Sequence, residues 1–326
     1  MARERLLSGI QPTGQMHLGN YLGSVKAWVD NQTRYEPFLM IADLHSLTST
    51  YENPAALRDT KFDLVCDLLA LGIDPTQSTL FFQSDVPEHS ELHVILSMIT
   101  PLPWLYRVPS YKSKMDDIQD KDLDTYGFLG YPVLQAADIL LYRATRVPVG
   151  KDQLPHLELT REIARRFNHF YGNVFPEPLD VLTEFPILPG LDGRKMSKSY
   201  GNTLPISDTA EHTQALMMKM FTDPARLRRH DPGHPDVCPV FAYHQIFNKD
   251  RVPEIRSGCE SAALGCVDCK RECAGKVNDF LAPIRAKRAA LTQDRGEIQR
   301  MMREGAQKAR AVASETLEDV KKAVGL

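Results

Sequence analysis

Three apolar runs, "RLLSGI" (5–10), "PFLMIADL" (37–44) and "TLFFQSD" (79–85), are separated by stretches of helical spacing. That alternation constrains the fold more than any other feature of the chain. Short apolar runs of this kind read as buried strands, and strands that take turns with helices build a parallel sheet covered on both faces. The intervening "HLGNYLGSVKAWVDNQ" reads as a helix. So does "NPAALRDTKFDLVCDLLALG", with Asn53 in the capping position and Pro54 opening the first turn. Further along come a helix "YPVLQAADILLYRA", a short strand "VPVG", and a helix "LPHLELTREIARRFNHFYG" that ends at Gly172. The fold class is therefore α/β, and ligands are expected in the crevice at the carboxyl ends of the strands. Strand signals disappear after "FPEPLDVLTEFPILPGLDGRK". From about Ile206 the pattern is helical, broken by the Pro/Gly-rich "DPGHPDVCPV". The last helix, within about 304–326, carries apolar residues at a spacing that suits packing back onto the first domain.

Length allows two domains in the 326 residues. Boundaries are expected at 1–190 for the sheet domain, 191–205 for a linking loop, and 206–303 for a helical domain. No apolar run approaches the roughly 18 residues of a membrane span, and the N-terminus lacks the apolar core of a secretory signal. The expected location is the cytoplasm, with no membrane partner, and stable disulfides are not expected there. The net charge of −3 hides an asymmetry. Residues 215–310 hold 18 Lys and Arg against 12 Asp and Glu. Such an excess suits a polyanionic partner, and equally suits solvated helix faces.

The first strand runs into "SGIQPTGQMHLGNYLG", a glycine-bearing strand–helix turn. Exposed N–H groups at such a helix start attract phosphate, and Thr13, His17 and Asn20 can add side-chain donors. It is not the G-x-G-x-x-G fingerprint, so a dinucleotide is not implied. Later, "GRKMSKSYGN" presents Lys195 and Lys198 in a Gly-bounded loop with Ser197 and Ser199. Mobile cations beside hydroxyls suit the charge that builds on a transferred or leaving phosphate. An exposed basic loop is the alternative.

Together these motifs resemble those of the class I aminoacyl-tRNA synthetases. "HLGN" (His17 to Asn20) is similar to that class's HIGH motif and "KMSKS" (Lys195 to Ser199) to its second. Within the class, "ADLHSLT", "GIDPTQSTLFFQSDVPEH", "YPVLQAADILLY", "VPVGKDQ" and "HLELTREIARRFN" resemble the bacterial tryptophanyl-tRNA synthetases, and the likeness runs through nearly the whole chain. The resemblance implies a Rossmann-like doubly wound sheet with a helical anticodon-binding domain, a homodimer, and three substrates: L-tryptophan, ATP with Mg2+, and tRNA(Trp).

The resemblance also assigns residues. ATP is expected along Gln11, Pro12, Thr13, Gly19 and Asn20, with Gly150, Lys151 and Asp152 near ribose and phosphates and Ile187 at the adenine. Lys195, Met196, Ser197, Lys198 and Ser199 would close over the phosphates. His17, Asn20, Lys195 and Lys198 carry the chemistry. The family usually has an acid where this chain has Lys151, read here as a side chain pointing to solvent.

Tyr131, Gln135 and Asp138 share one helix face by their spacing. A carboxylate inside "AADILLY" needs a partner, because burying it unpaired is expensive. A nearby cation or backbone N–H is the plain candidate. The family instead implies that Asp138 accepts the indole N–H, with His45 lining the pocket and Val147 and Val149 against the ring. Gln135 stands where some members have methionine.

Five of the six cysteines fall between 238 and 273, in the order Cys238-x20-Cys259-x6-Cys266-x2-Cys269, with Cys273 four residues on. In a reducing compartment such clustering suits metal ligation or redox chemistry. Four thiolates can hold zinc or an iron–sulfur cluster, though a zinc ribbon normally has two close C-x-x-C knuckles and this region has one. A branch of the family carries a [4Fe–4S] cluster on C-x22-C-x6-C-x2-C. This chain shortens the first gap by two, so the resemblance makes Cys238, Cys259, Cys266 and Cys269 the ligands, a staple for an RNA-reading surface. Cys273 is a spare ligand or a packed thiol, and Cys66 is core. Two other readings share these motifs: the sister tyrosyl-tRNA synthetases, and a catalytically silent RNA-binding or redox-sensing relative. Intact His17, Asn20, Lys195 and Lys198 count against the second.

Overall fold

The computed structural model describes residues 3–52, 54–108, 125–150, 153–182 and 188–326. Asn53, Lys151, Asp152 and Ile187 lie outside the described residues, as does the side chain of Ser199.

Five strands, β1 (Arg5–Ile10), β2 (Glu36–Ile41), β3 (Thr79–Phe82), β4 (Arg146–Val149) and β5 (Leu179–Leu182), form one parallel sheet in the order β3-β2-β1-β4-β5. β2 is buried on both faces from Pro37 to Ile41, which is why its sequence is continuously apolar rather than alternating. β1 shows where the two layers divide: Leu6 belongs to one hydrophobic cluster and its neighbour Leu7 to the other. The order turns back at β1, because β2 lies on one side of it and β4 on the other. The crevice outside the carboxyl ends of β1 and β4 is thus a topological switch point. β5 was not singled out by the sequence. It is a four-residue edge strand with a half-exposed Leu179, too short to stand out from its loop.

The expected helix after β1 is three pieces: Leu18–Asn20, a π-helical turn Tyr21–Val25, and Lys26–Asn31. Within that wider turn the Ser24 hydroxyl donates to the Asn20 carbonyl at 3.0 Å, a local competitor of the helix ladder. Pro54 opens a 3₁₀ turn, Pro54–Ala56, and the α-helix runs Leu57–Ala70. Helix Tyr126–Leu141 starts at Thr125, whose hydroxyl accepts from Phe128 N, and is buried along most of its length.

Beyond Ile206 the described residues hold only helices: Ala210–Met218, Pro239–Phe247, Val252–Glu260, Cys266–Leu291 and Arg295–Val324, with short 3₁₀ turns between them. The 26-residue helix Cys266–Leu291 packs on Ala210–Met218, Pro239–Phe247 and Leu57–Ala70. Near its end Arg288 donates to Asp67 at 2.6 Å and to Asp63 at 2.9 Å, tying it to the sheet domain. The last helix lies along β3, where Gly305 touches the strand so closely that an added Cβ would fall 1.9 Å from the Leu80 carbonyl oxygen. Arg310 and Ser314 then both donate to Glu88 at 2.8 Å. No helix among the described residues is long and apolar enough to cross a membrane.

Candidate active site

At the carboxyl end of β1 the chain turns at Gln11, whose carbonyl accepts the Thr13 N–H at 2.9 Å, and enters the helix at His17. His17 caps that helix. Its Nδ1 accepts the Asn20 backbone N–H at 3.2 Å, while Asn20 Oδ1 accepts the His17 N–H at 3.3 Å. Nδ1 therefore serves as an acceptor, which leaves the proton on Nε2. Burial, and next the charge of Lys198, lower the His17 pKa to about 4, so the ring is a neutral donor at neutral pH.

The second motif lies directly over the first. Leu18 N donates to Leu204 O and Ile206 N to Met16 O, both at 3.0 Å, so backbone bonds hold the segment after the loop against "HLGN". Gly19 N–H points to the Met196 sulfur at 3.3 Å. Lys198 Nζ donates to the carbonyls of Thr13 and Gly14, the latter at 3.1 Å. Its side chain is exposed, but crowding around the ammonium lowers its pKa, with Asp67 pulling weakly the other way. Lys195 is exposed on the same loop. Ile10, Gln11, Thr13, His17, Asn20, Met196, Ser197 and Lys198 together line an open, mostly polar cavity of about 380 Å³. The Lys198 ammonium, a neutral imidazole donor and a helix start converge there, the equipment for a polyphosphate, and Lys195 stands exposed on the same loop without lining the cavity.

Asn202 organises the loop and was not anticipated. Buried at 3% exposure, it accepts Ser197 N–H at 2.8 Å and donates to Asp192 at 2.7 Å and to the Lys195 carbonyl at 3.2 Å. Its amide fills the space a Cβ on Gly190 would need, 2.3 Å away. The bond from Asn202, followed by the Arg194 side chain and backbone, lowers the Asp192 pKa to about 2.

A second cavity, about 340 Å³, opens between β1, β4 and helix Tyr126–Leu141. Gln11 lines both cavities, so they meet beside that side chain. Tyr131, Gln135, Asp138, His45, Val147, Val149 and Gly150 all line the second one. Trp28, Met40 and Ala42, unforeseen, add apolar wall. Tyr131 OH lies 3.0 Å from His156 Nε2. Pro12 is buried beneath the turn and lines neither cavity.

Asp138 is 1% exposed and has protein partners: Gln83 Nε2 at 2.8 Å, His89 Nδ1 at 2.6 Å and His45 Nε2 at 2.8 Å. Burial works against its charge, but His89 and the hydrogen bonds from His45 and His89 outweigh it, and the carboxyl titrates well below its usual range. Gln83 and His89 carried no role in the sequence reading; polar residues just beyond an apolar strand, in "FFQSDVPEH", were the available signal.

The cysteines also converge. Arg226 Nη1 lies 3.7 Å from the Cys266 sulfur and 4.0 Å from that of Cys259. Burial first, then repulsion from Cys238, Cys259 and Cys266, pushes the Cys269 thiol up to about 12. Burial also raises the Cys259 thiol pKa, which Arg226 lowers and Cys238 and Cys266 raise further. Cys269 Sγ sits 3.4 Å from His244 Nε2. Cys273 is fully buried in the core with its sulfur near the Val240 carbonyl, and Cys66 is likewise core. Among the described residues no group of three or more His, Cys, Asp or Glu is arranged to hold a metal ion.

Residues 2–282 match the family model for tRNA synthetases class I (W and Y). The chain is 47% identical to the tryptophan--tRNA ligase of Thermotoga maritima, over 99% of each chain. It is 42% identical to that of Aquifex aeolicus, covering 99% of this chain and all of that protein. The crystal structure of tryptophanyl-tRNA synthetase from Campylobacter jejuni complexed with ADP and tryptophane superposes with a TM-score of 0.90 at 34% identity, over 99% of this chain and all of that one.

Proposed function

Since the chain belongs to the class I tRNA synthetases for tryptophan and tyrosine and acts as a tryptophan--tRNA ligase, we propose that its two adjoining cavities hold tryptophan and ATP. The observation that carries this is their meeting at Gln11, with a buried carboxylate in one cavity and Lys198 over the other. The tryptophan carboxylate attacks the α-phosphorus in line. A P–O bond to it forms as the bond to the β-phosphate bridging oxygen breaks, and pyrophosphate leaves with that electron pair. The terminal ribose hydroxyl of tRNA(Trp) then attacks the anhydride carbonyl, releasing AMP and a proton. Neutral His17 donates from Nε2 to phosphate, Asn20 holds His17, and Lys195 and Lys198 meet the charge developing on pyrophosphate. Mg2+ arrives with the triphosphate and offsets its charge. Positioning supplies much of the rate.

Within the second cavity Asp138 accepts the indole N–H, Val147 and Val149 flank the ring, and Tyr131, Gln135 and His45 complete the walls. ATP-dependent pyrophosphate exchange tests the assignment: it should respond to tryptophan and not to tyrosine. Equal exchange with both would overturn the pocket reading.

Cys238, Cys259, Cys266 and Cys269 are the ligands of a [4Fe–4S] cluster in this reading. Their spacing supports it, and the sulfurs of Cys259 and Cys266 both lie within 4.0 Å of Arg226 Nη1. Arg226 beside two of the sulfurs suits an anionic cluster. A single zinc ion is the second candidate, and a zinc ribbon's usual second C-x-x-C knuckle is missing from this region. The cluster, when bound, would pin the loop between helices Val252–Glu260 and Cys266–Leu291, where Ala262 has a left-handed φ of 61°. Residues 206–303 form the anticodon-reading domain, 1–190 the catalytic domain and 191–205 the loop and link. Exposed Leu47, Val94, Leu102, Tyr106 and Tyr126, on helix Tyr126–Leu141 or on helices packed against it, with Tyr51 and Met98 just past two of those helices' ends, supply the face of a homodimer. Charging of tRNA belongs in the cytoplasm.

A further inference from the structure

An ionised carboxylate offers about four lone-pair positions, two on each oxygen. On Asp138 both positions of Oδ1 are taken, by Gln83 Nε2 at 2.8 Å and His89 Nδ1 at 2.6 Å. One position of Oδ2 is taken, by His45 Nε2 at 2.8 Å. Gln83 and His89 are 0% exposed and do not line the tryptophan cavity, whereas His45 and Asp138 do. The described residues thus close Oδ1 from behind and leave one acceptor position, on the oxygen next to the cavity wall.

The rear partners are themselves held. His89 Nε2 lies 2.8 Å from the Tyr142 hydroxyl. Burial, and then the charge of Asp138, keep that phenol protonated. With Asp138 ionised, His89 donates from Nδ1, and its Nε2 accepts the Tyr142 O–H when the ring is neutral. Gln83 is fixed at its other end, where Oε1 accepts the His45 N–H at 3.4 Å. One chain of bonds therefore sets the carboxylate plane and the helix that carries His45.

We infer that Gln83 and His89, the latter held by Tyr142, are positioning residues for amino-acid selection: they saturate Oδ1 and leave Oδ2 as the single acceptor facing the substrate. The inference rests on the reading that Asp138 accepts the indole N–H. A side chain of the same shape without that donor then leaves a buried charge short of a bond, which is how such sites reject analogues. Without its rear donors the carboxylate can turn or take a proton, and the analogue is no longer penalised.

The test compares kcat/KM for tryptophan with that for β-(benzothien-3-yl)alanine, in which sulfur replaces the indole N–H, by pyrophosphate exchange. In Gln83→Met and His89→Leu the preference for tryptophan should fall about tenfold or more, and by less in Tyr142→Phe, which removes one oxygen. In His89→Asn, whose amide can donate near the place of Nδ1, the preference should return to within about threefold of the native protein. A purely structural role would lower both amino acids in proportion and leave the ratio alone, and that result in Gln83→Met and Tyr142→Phe would overturn the inference. Asp138→Ala separates it from its premise. If that variant keeps the preference, the indole assignment itself falls; if it loses the preference while the rear variants keep theirs, only the positioning role falls.

Discussion

Asn202 Oδ1 accepts the backbone N–H of Ser197 at 2.8 Å, so the centre of "KMSKS" hangs from a buried amide three residues past the motif's end. That bond, with those to Asp192 and the Lys195 carbonyl, gives an otherwise exposed loop one shape. Asn202→Ala should lower pyrophosphate exchange by about 10²-fold through misplacement of Lys195 and Lys198. The whole fold should lose only about 1–3 kcal/mol, the usual cost of an orphaned buried group. Urea unfolding beside exchange kinetics separates the two, and an unaffected exchange rate would show that the loop holds its shape without Asn202.

Lys198→Ala removes the cation that lies against the Thr13 and Gly14 carbonyls. Adenylation should slow by about 10²–10⁴, because a charge aimed at the leaving phosphate is lost. Tryptophan affinity, set in the neighbouring cavity, should change far less. Near-normal exchange in this variant would remove Lys198 from the mechanism.

His17 supplies a pH signature. Its pKa is about 4 in the folded protein and near 6.5 when unfolded, so between those values the unfolded chain binds the proton and the folded chain does not. Its contribution is therefore fully present above about pH 6.5 and is lost as pH falls through about 4, up to about 3 kcal/mol in all. Comparing urea unfolding at pH 7 and pH 5, the native protein should lose more stability than His17→Asn. An equal loss in both would show that folding leaves the His17 pKa at its unfolded value.

On the proposed [4Fe–4S] reading, anaerobically purified protein should absorb in the visible region and contain iron, and Cys266→Ser should abolish both. The substitution should weaken tRNA charging and leave tryptophan-dependent pyrophosphate exchange largely intact. Cys273→Ser should retain the iron, because Cys273 is sealed in the core at 0% exposure. Stoichiometric zinc without iron would replace the cluster with a Cys₄ zinc site.

Local order was legible in the residues themselves. Apolar runs alternating with helical spacing determined a parallel α/β sheet, because strand and helix periodicities are properties of neighbouring residues. "HLGN" and "KMSKS" pointed to phosphate chemistry for the same reason, since each is a short contiguous string. Tyr131, Gln135 and Asp138 could be assigned to one face because they ride one helix. The tertiary structure decided what each of these groups meets. Asp138 is joined by His45 from the helix after β2, and by Gln83 and His89 from beyond β3, and only the parallel pairing of β2 with β3 brings those segments together. Asn202 is an ordinary loop residue until the turn at Gly190 leaves a hole that its amide fills. Cys273 stands one helical turn from Cys269, yet it is sealed in the core beside the Val240 carbonyl while the half-buried Cys269 meets His244. Spacing along a helix sets the angle between two side chains, but what lies at each angle depends on helices packed from elsewhere in the chain.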